Sequence, residues 1–232
     1  MSEYLFVLSN GDEIPVFIAT KRGMRNITLR PKVRPRREIH ISKPWLVTDA
    51  SAIKFLTQKQ KWVEGIFQKC PDKIKLKSGD EIVFLGRKVI LEHVPNIRSN
   101  KFSDDGARLF VGGGVDMFER RVRDFIKAEF LKELKVVIRS VPSEFWPARI
   151  ALRDTTSRWG SCSTSGTMSF SWRLAFAPYD VMRYVVMHEL AHVRHMDHSP
   201  EFWATVRELY GFGVERAKRW LTQNGGQLHQ YF

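Results

Sequence analysis

A chain that carries His188, Glu189 and His192 at helical spacing, then Ser199-Pro200 a few residues later, must bury a helix, break it and start another. Pro178 opens the first helix, because its missing N–H would be unpaired in a first turn anyway. From it Val181, Tyr184, Val185, His188, Leu190 and His192 recur at helical steps along an apolar flank. Ser199, Pro200 and Glu201 read as N-cap, first-turn proline and first-turn acid of the next helix, "SPEFWATVRELY", which Gly211 ends. On a helix the side chains of 188 and 192 are offset by only about 40°, so both imidazoles can reach one cation. Glu189 projects about 100° to one side, where it can hydrogen-bond a water on that cation.

H-E-x-x-H is a zinc-hydrolase spacing, and such a site takes three protein ligands. The candidates for the third are His195, His198, Asp197, Glu201 and Glu208. His195 prolongs the row of His192, and three ligands in one row converge poorly. His198 stands where the chain has already turned and is preferred; Glu208 on the following helix is the alternative. "HELAHVRHMDH" has the third-histidine spacing of H-E-x-x-H-x-x-G-x-x-H, with His195 at the glycine position, where a left-handed turn is expected. No methionine follows Met196, so the Met-turn of that pattern is absent.

In "RWGSCS", Trp159 beside Gly160 suggests an edge strand over a cleft, able to pair with an extended substrate. Arg153, Arg158, Trp159 and Ser161 are the candidate substrate-binding residues; the arginines could hold a carboxylate or phosphate, or serve in ion pairs. Cys162 is expected to be a small packed residue.

The preceding chain divides by pattern. "YLFVLS", "EIPVFIA", "NITLRP" and "REIHIS" read as a small antiparallel sheet, and an amphipathic helix follows from Val47 to Phe67 with Thr48 or Asp49 as cap. "EIVFLG" and "KVILEHV" are strands joined tightly through Gly86. Residues 99–116, rich in Gly, Ser and Asp, read as a linker, and a long amphipathic helix runs from Met117 to Val141. "RIALRD" and "TMSFSWRL" are strands, with a hairpin turn at Ser165-Gly166, and "GVERAKRWLTQN" is a final helix. The expected organisation is a basic β-rich domain over 1–98, a linker over 99–116 and a catalytic domain over 117–232.

At 232 residues and 43% hydrophobic content, a packed core rather than disorder is expected. The net charge of +13 would attract phosphates, acidic proteins or anionic lipid, and residues 20–43 hold nine basic residues against Glu38 alone. That region is a candidate nucleic-acid contact. Two distant cysteines, Cys70 and Cys162, suggest a reducing cytoplasm, and no export signal or membrane span is indicated.

The stretch "RWGSCSTSGTMSFSWRLAFAPYDVMRYVVMHELAHVRHMDHSPEFW" resembles the YgjP-like and SprT-like metallohydrolases, which share W-G-S-C, a strand with W-R-L, A-P, V-x-H-E-L-A-H and H-S-x-x-F-W. The resemblance covers residues 117–221 best, with "LRPKVRPRREIHIS" and "FLGRKVIL" matching more loosely. The family's basic motif has a glycine after the proline where this chain has "RPKVRPRRE". The patterns give an α+β fold: an N-terminal mainly antiparallel β segment with a helix, then a domain of long helix, small sheet, active-site helix and C-terminal helices, for which the resemblance implies the zincin-like fold. It also implies one Zn2+ on His188, His192 and His198, with Glu189 as general base. Relatives include proteases acting on DNA-bound proteins and members linked to nucleoside triphosphate hydrolysis. The expected function is a zinc metallopeptidase using a metal-activated water. The alternatives are a nucleoside triphosphate phosphohydrolase using the same centre, and a basic nucleic-acid-associated module with structural zinc.

Overall fold

The computed structural model describes residues 2–33, 36–69, 73–155 and 158–232, and the chain divides into two compact units, Met1–Asp72 and Lys73–Phe232. Cys70, one of the two cysteines from which the compartment is inferred, and part of "RPKVRPRRE" lie outside the described residues.

In the first unit, β1 (Ser2–Val7), β2 (Glu13–Thr20), β3 (Thr28–Lys32) and β4 (Glu38–Lys43) form one sheet in the order β1-β2-β4-β3. The sheet is not wholly antiparallel as expected, because β2 and β4 pair in parallel. Their register sets Val16 against Ile39 and Ile18 against Ile41, so all four apolar side chains fall on one buried face. The helix expected over 47–67 is two: α1 (Asp49–Gln58), capped by the Thr48 hydroxyl accepting from Ser51 N–H, and α2 (Gln60–Lys69). They part at Lys59, within a polar run, 57–61, that offers no apolar side chain to anchor a turn. Ala52, Leu56, Val63 and Phe67 close this unit's core over the sheet. In the basic region, Lys32 and Arg36 both face Glu38, and Arg37 faces Asp12.

The second unit has its own, larger core. Its first sheet, in the order β5-β6-β8-β7, comprises β5 (Glu81–Phe84), β6 (Arg87–His93), β7 (Lys101–Phe102) and β8 (Arg108–Val111). Leu85 and Gly86, at φ 49° and 84°, make the tight β5–β6 turn. Residues 99–116 are therefore not a linker: β7 and β8 lie within them, with Ser103, Asp104, Asp105 and Gly106 in the turn between the paired strands and Gly112–Gly114 following β8. The units part between Asp72 and Lys73 instead of after residue 98.

Next, α3 (Phe118–Arg139) buries Val122, Ile126, Phe130 and Leu134, one face at helical spacing. A second sheet, β10-β11-β9, holds β9 (Arg149–Arg153), β10 (Gly160–Cys162) and β11 (Thr167–Ser171). β10 is at its edge, antiparallel to β11. The final "WRL" of the expected strand is instead a short 3-10 turn, Trp172–Phe176. There Arg173, 3% exposed, donates to both Asp154 oxygens and to the carbonyls of Tyr231 and Phe232. Burial pushes the Asp154 carboxyl up, but the Arg173 hydrogen bonds and charge outweigh it and hold the group below its usual range. Three helices complete the unit: α4 (Tyr179–Ala191), α5 (Pro200–Tyr210) and α6 (Val214–Asn224). No helix among the described residues is long and apolar enough to cross a membrane. The architecture is α+β, with small sheets and six α-helices among the described residues.

Candidate metal centre

α4 is buried nearly all round, from Val181 to Ala191, so the polar groups it carries inward are held by packing. His188 and His192 lie on one row of this helix, and His192 is its C-cap. Beyond it the chain tightens through bonds from Val193 N–H to the Leu190 carbonyl and from Arg194 N–H to that of Ala191. His195 takes no left-handed conformation; among the described non-glycine residues only Leu85 and Phe232 have positive φ. The bend is fixed on its far side by α5, whose Ser199 hydroxyl accepts from Phe202 N–H.

His198, from this bend, meets the pair on α4. One ring nitrogen from each of His188, His192 and His198 lies within 4.8 Å of the others, and the Nε2 atoms of His188 and His198 are 3.2 Å apart. The alternative third ligand, Glu208, is exposed on α5 and outside this group, as are Asp197 and Glu201. His192 Nδ1 is 2.9 Å from the His195 carbonyl oxygen. A proton on Nδ1 would direct that bond and leave Nε2 free for a cation. His195 thus meets the group through its backbone carbonyl, and its ring is not part of the cluster.

The donor set fits a metal ion. Burial, then the neighbouring His192 and His198, lower the His188 pKa to about 4, and burial lowers that of His192. Neutral imidazole is the ligating form. Phe202, fully buried, sits 4.9, 4.5 and 4.8 Å from the rings of His188, His192 and His198, a floor common to all three. Trp203 flanks His188 and His198 at 5.7 and 6.0 Å, with Lys218 Nζ 4.6 Å from its ring. Sequence spacing gave no sign of this floor, although "F-W" after "H-S-x-x" placed both rings within one turn of the cap.

Glu189, 5% exposed, faces β10. Burial raises its pKa to about 7, with Arg158 pulling the other way. Gly160 is what lets the carboxyl lie there, since a Cβ at 160 would come 2.7 Å from Glu189 Cδ. Gly160→Ala is therefore expected to displace Glu189 and lower turnover about 100-fold with zinc content unchanged, measured as kcat beside metal stoichiometry.

Arg158, Trp159, Gly160, Tyr184, His188 and Glu189 line a cleft of about 240 Å³. Trp159 is set by packing on Gly225 and by His229, whose ring is 5.5 Å away. Of the predicted substrate residues, Arg158 and Trp159 line this cleft, while Arg153 and Ser161 line a neighbouring cavity together with Arg158. Tyr184 has its pKa pushed up to about 12 by burial, then by Glu215 and Glu189, so its phenol stays protonated. The Tyr210 hydroxyl is turned away, donating to the Asp180 carbonyl. Cys162 is half-buried, its thiol raised by burial and then by Glu189, as suits a packed residue and not a nucleophile.

The model of the YgjP-like metallopeptidase domain matches residues 25–224. The chain belongs to this family. Among solved structures, the metallopeptidase zymogen of Pyrococcus abyssi abylysin is 23% identical over 46% of this chain and 98% of its own, with a TM-score of 0.33. No curated protein matches. As a YgjP-like metallopeptidase the chain is a metal-dependent hydrolase, and its three histidines could hold the ion that the family implies.

Proposed function

We propose that this YgjP-like protein is a zinc peptidase in which His188, His192 and His198 hold one ion and Glu189 is the general base. The observation that carries the reading is the convergence of three imidazole nitrogens within 4.8 Å beside a buried carboxyl. Three donors rather than four, among the described residues, suit a catalytic site with an open position more than a closed structural one. When bound, zinc supplies a Lewis acid that polarises the scissile carbonyl and makes water a better nucleophile.

The chain's own groups do the rest. β10 is an edge strand, so an extended substrate can pair with its free side and be drawn past Gly160, against which Glu189 lies. The Glu189 carboxylate takes a proton from the attacking water and delivers it to the leaving amine nitrogen. Burial of the carboxyl keeps competing solvent from that transfer. Trp159 and Leu221 form apolar walls that exclude further water.

The test is a substrate panel of casein, DNA-bound protein and nucleoside triphosphates, each with and without chelator. Peptide cleavage that chelation abolishes and zinc restores is expected. Phosphate release without peptide cleavage would overturn the reading in favour of nucleotide hydrolysis.

A further inference from the structure

The metal cleft is one of two hollows that meet at β10. Across the sheet, Gly160 pairs with Phe170 and Phe170 with Leu152; Ser161 pairs with Ser169, and Ser171 with Arg153. Successive residues of a strand point to opposite faces. Phe170, fully buried, marks the inner face, where Glu189 lies over Gly160. Ser161, Ser169 and Arg153 share the outer face. There Arg153, Thr155, Arg158, Ser161 and Ser169, with Gly160 and Phe170 between them, line a cavity of about 300 Å³ to which, among the described residues, no acidic side chain contributes.

Arg153 in it is uncommitted, and Arg158 meets the charge of Glu189 from the metal-cleft side without pairing with it. Neither the Arg153 nor the Arg158 guanidinium has an ion-pair or hydrogen-bond partner among the described residues, while the intervening Asp154 is held by Arg173 at 2.7 and 3.1 Å. The Thr155 hydroxyl donates to the Arg158 carbonyl at 2.8 Å, which ties the two ends of the loop together. Arg158 and Gly160 line both hollows, so a ligand passing over the edge of β10 reaches from one to the other.

We infer that the outer cavity is a carboxylate-binding subsite, selecting substrates with a carboxylate on a residue close to the scissile bond. This inference rests on the peptidase reading above. A peptide strand added to the edge of β10 sends alternate side chains to its two faces. If one residue faces the metal cleft, its neighbours face Arg153 and Arg158. Guanidinium forks match a carboxylate with paired, charge-assisted N–H donors, and the seryl hydroxyls can donate as well. The same chemistry accepts an Asp or Glu side chain or the terminal carboxylate of a short peptide.

The test uses zinc-loaded Glu189→Gln protein and an acetylated peptide, made both amidated and with a free carboxyl end, through which one Glu is moved position by position against a Gln background. Affinity is read by fluorescence anisotropy at about 0.15 M salt, where diffuse surface attraction is screened beyond roughly 8 Å. One Glu position is expected to bind roughly tenfold tighter than its Gln counterpart, the scale of a charge-assisted pair. Arg153→Gln and Arg158→Gln should each bring that ratio towards one. Arg139→Gln, which removes the same charge from the exposed end of α3, should not. Equal affinity at every position, or a ratio that survives Arg153→Gln, would overturn the subsite. Tightening seen only with a free carboxyl end would assign the carboxylate to the chain terminus. A binding preference in protein whose wild-type form cleaves none of the peptides would remove the peptidase reading and leave the subsite standing.

Discussion

Glu189→Gln is expected to leave one zinc per chain and to cut kcat by about 10²–10⁴-fold, the usual contribution of a positioned general base. The substitution keeps the shape of a side chain that is 5% exposed and packed against Gly160, so it removes proton transfer without opening the site. The measurement pairs kcat on whichever substrate the panel identifies with metal stoichiometry. Retained turnover by protein free of contaminating peptidase would exclude Glu189 as the base. A parallel loss of zinc would mean that the residue holds the ion rather than the proton.

His198→Ala is expected to weaken zinc binding by more than the roughly 10–100-fold that losing an outer-shell partner costs, because it removes one of three donors. Glu208→Ala, altering an exposed residue outside the cluster, should leave affinity unchanged. Competition against a chromogenic chelator measures both. The reverse ranking would move the third ligand onto α5 and undo the bend as the organising feature of the centre. Phe202 makes the expectation sharp. It packs under all three rings, so the remaining pair stays oriented when His198 is truncated, and the loss reports the missing nitrogen.

Features encoded over short spans were legible in the sequence. The Ser199 cap, the first-turn Pro200, the Gly211 stop and the apolar flank of α4 depend on neighbours within a turn or two, and each stands where spacing put it. The pairing of His188 with His192 is of the same kind. Misreadings cluster where a distant partner decides. Residues 99–116 looked like a linker because Gly, Ser and Asp are common in loops and in hairpin turns alike; only β6, which β8 joins in parallel, separates the two cases. The parallel pairing of β2 with β4 likewise depends on bringing Ile39 and Ile41 beside Val16 and Ile18. At His195 the glycine analogy failed because the chain tightens past the end of α4 and passes through 195 without a positive φ.

By itself the sequence determined a helix bearing two imidazoles one turn apart, a carboxyl offset from them and a break with a third imidazole, because helical periodicity and capping are local properties of the chain. Only the tertiary structure decided that the third ring folds back on the pair, that Gly160 receives Glu189, and that Arg153 and Arg158 line a cavity to which, among the described residues, no acidic side chain contributes. Those relations depend on elements that the fold brings together and not on neighbours within one turn. They arise from burial of α4 and Phe202 in one core and from the alternation of faces across β10, and no short-range pattern encodes either.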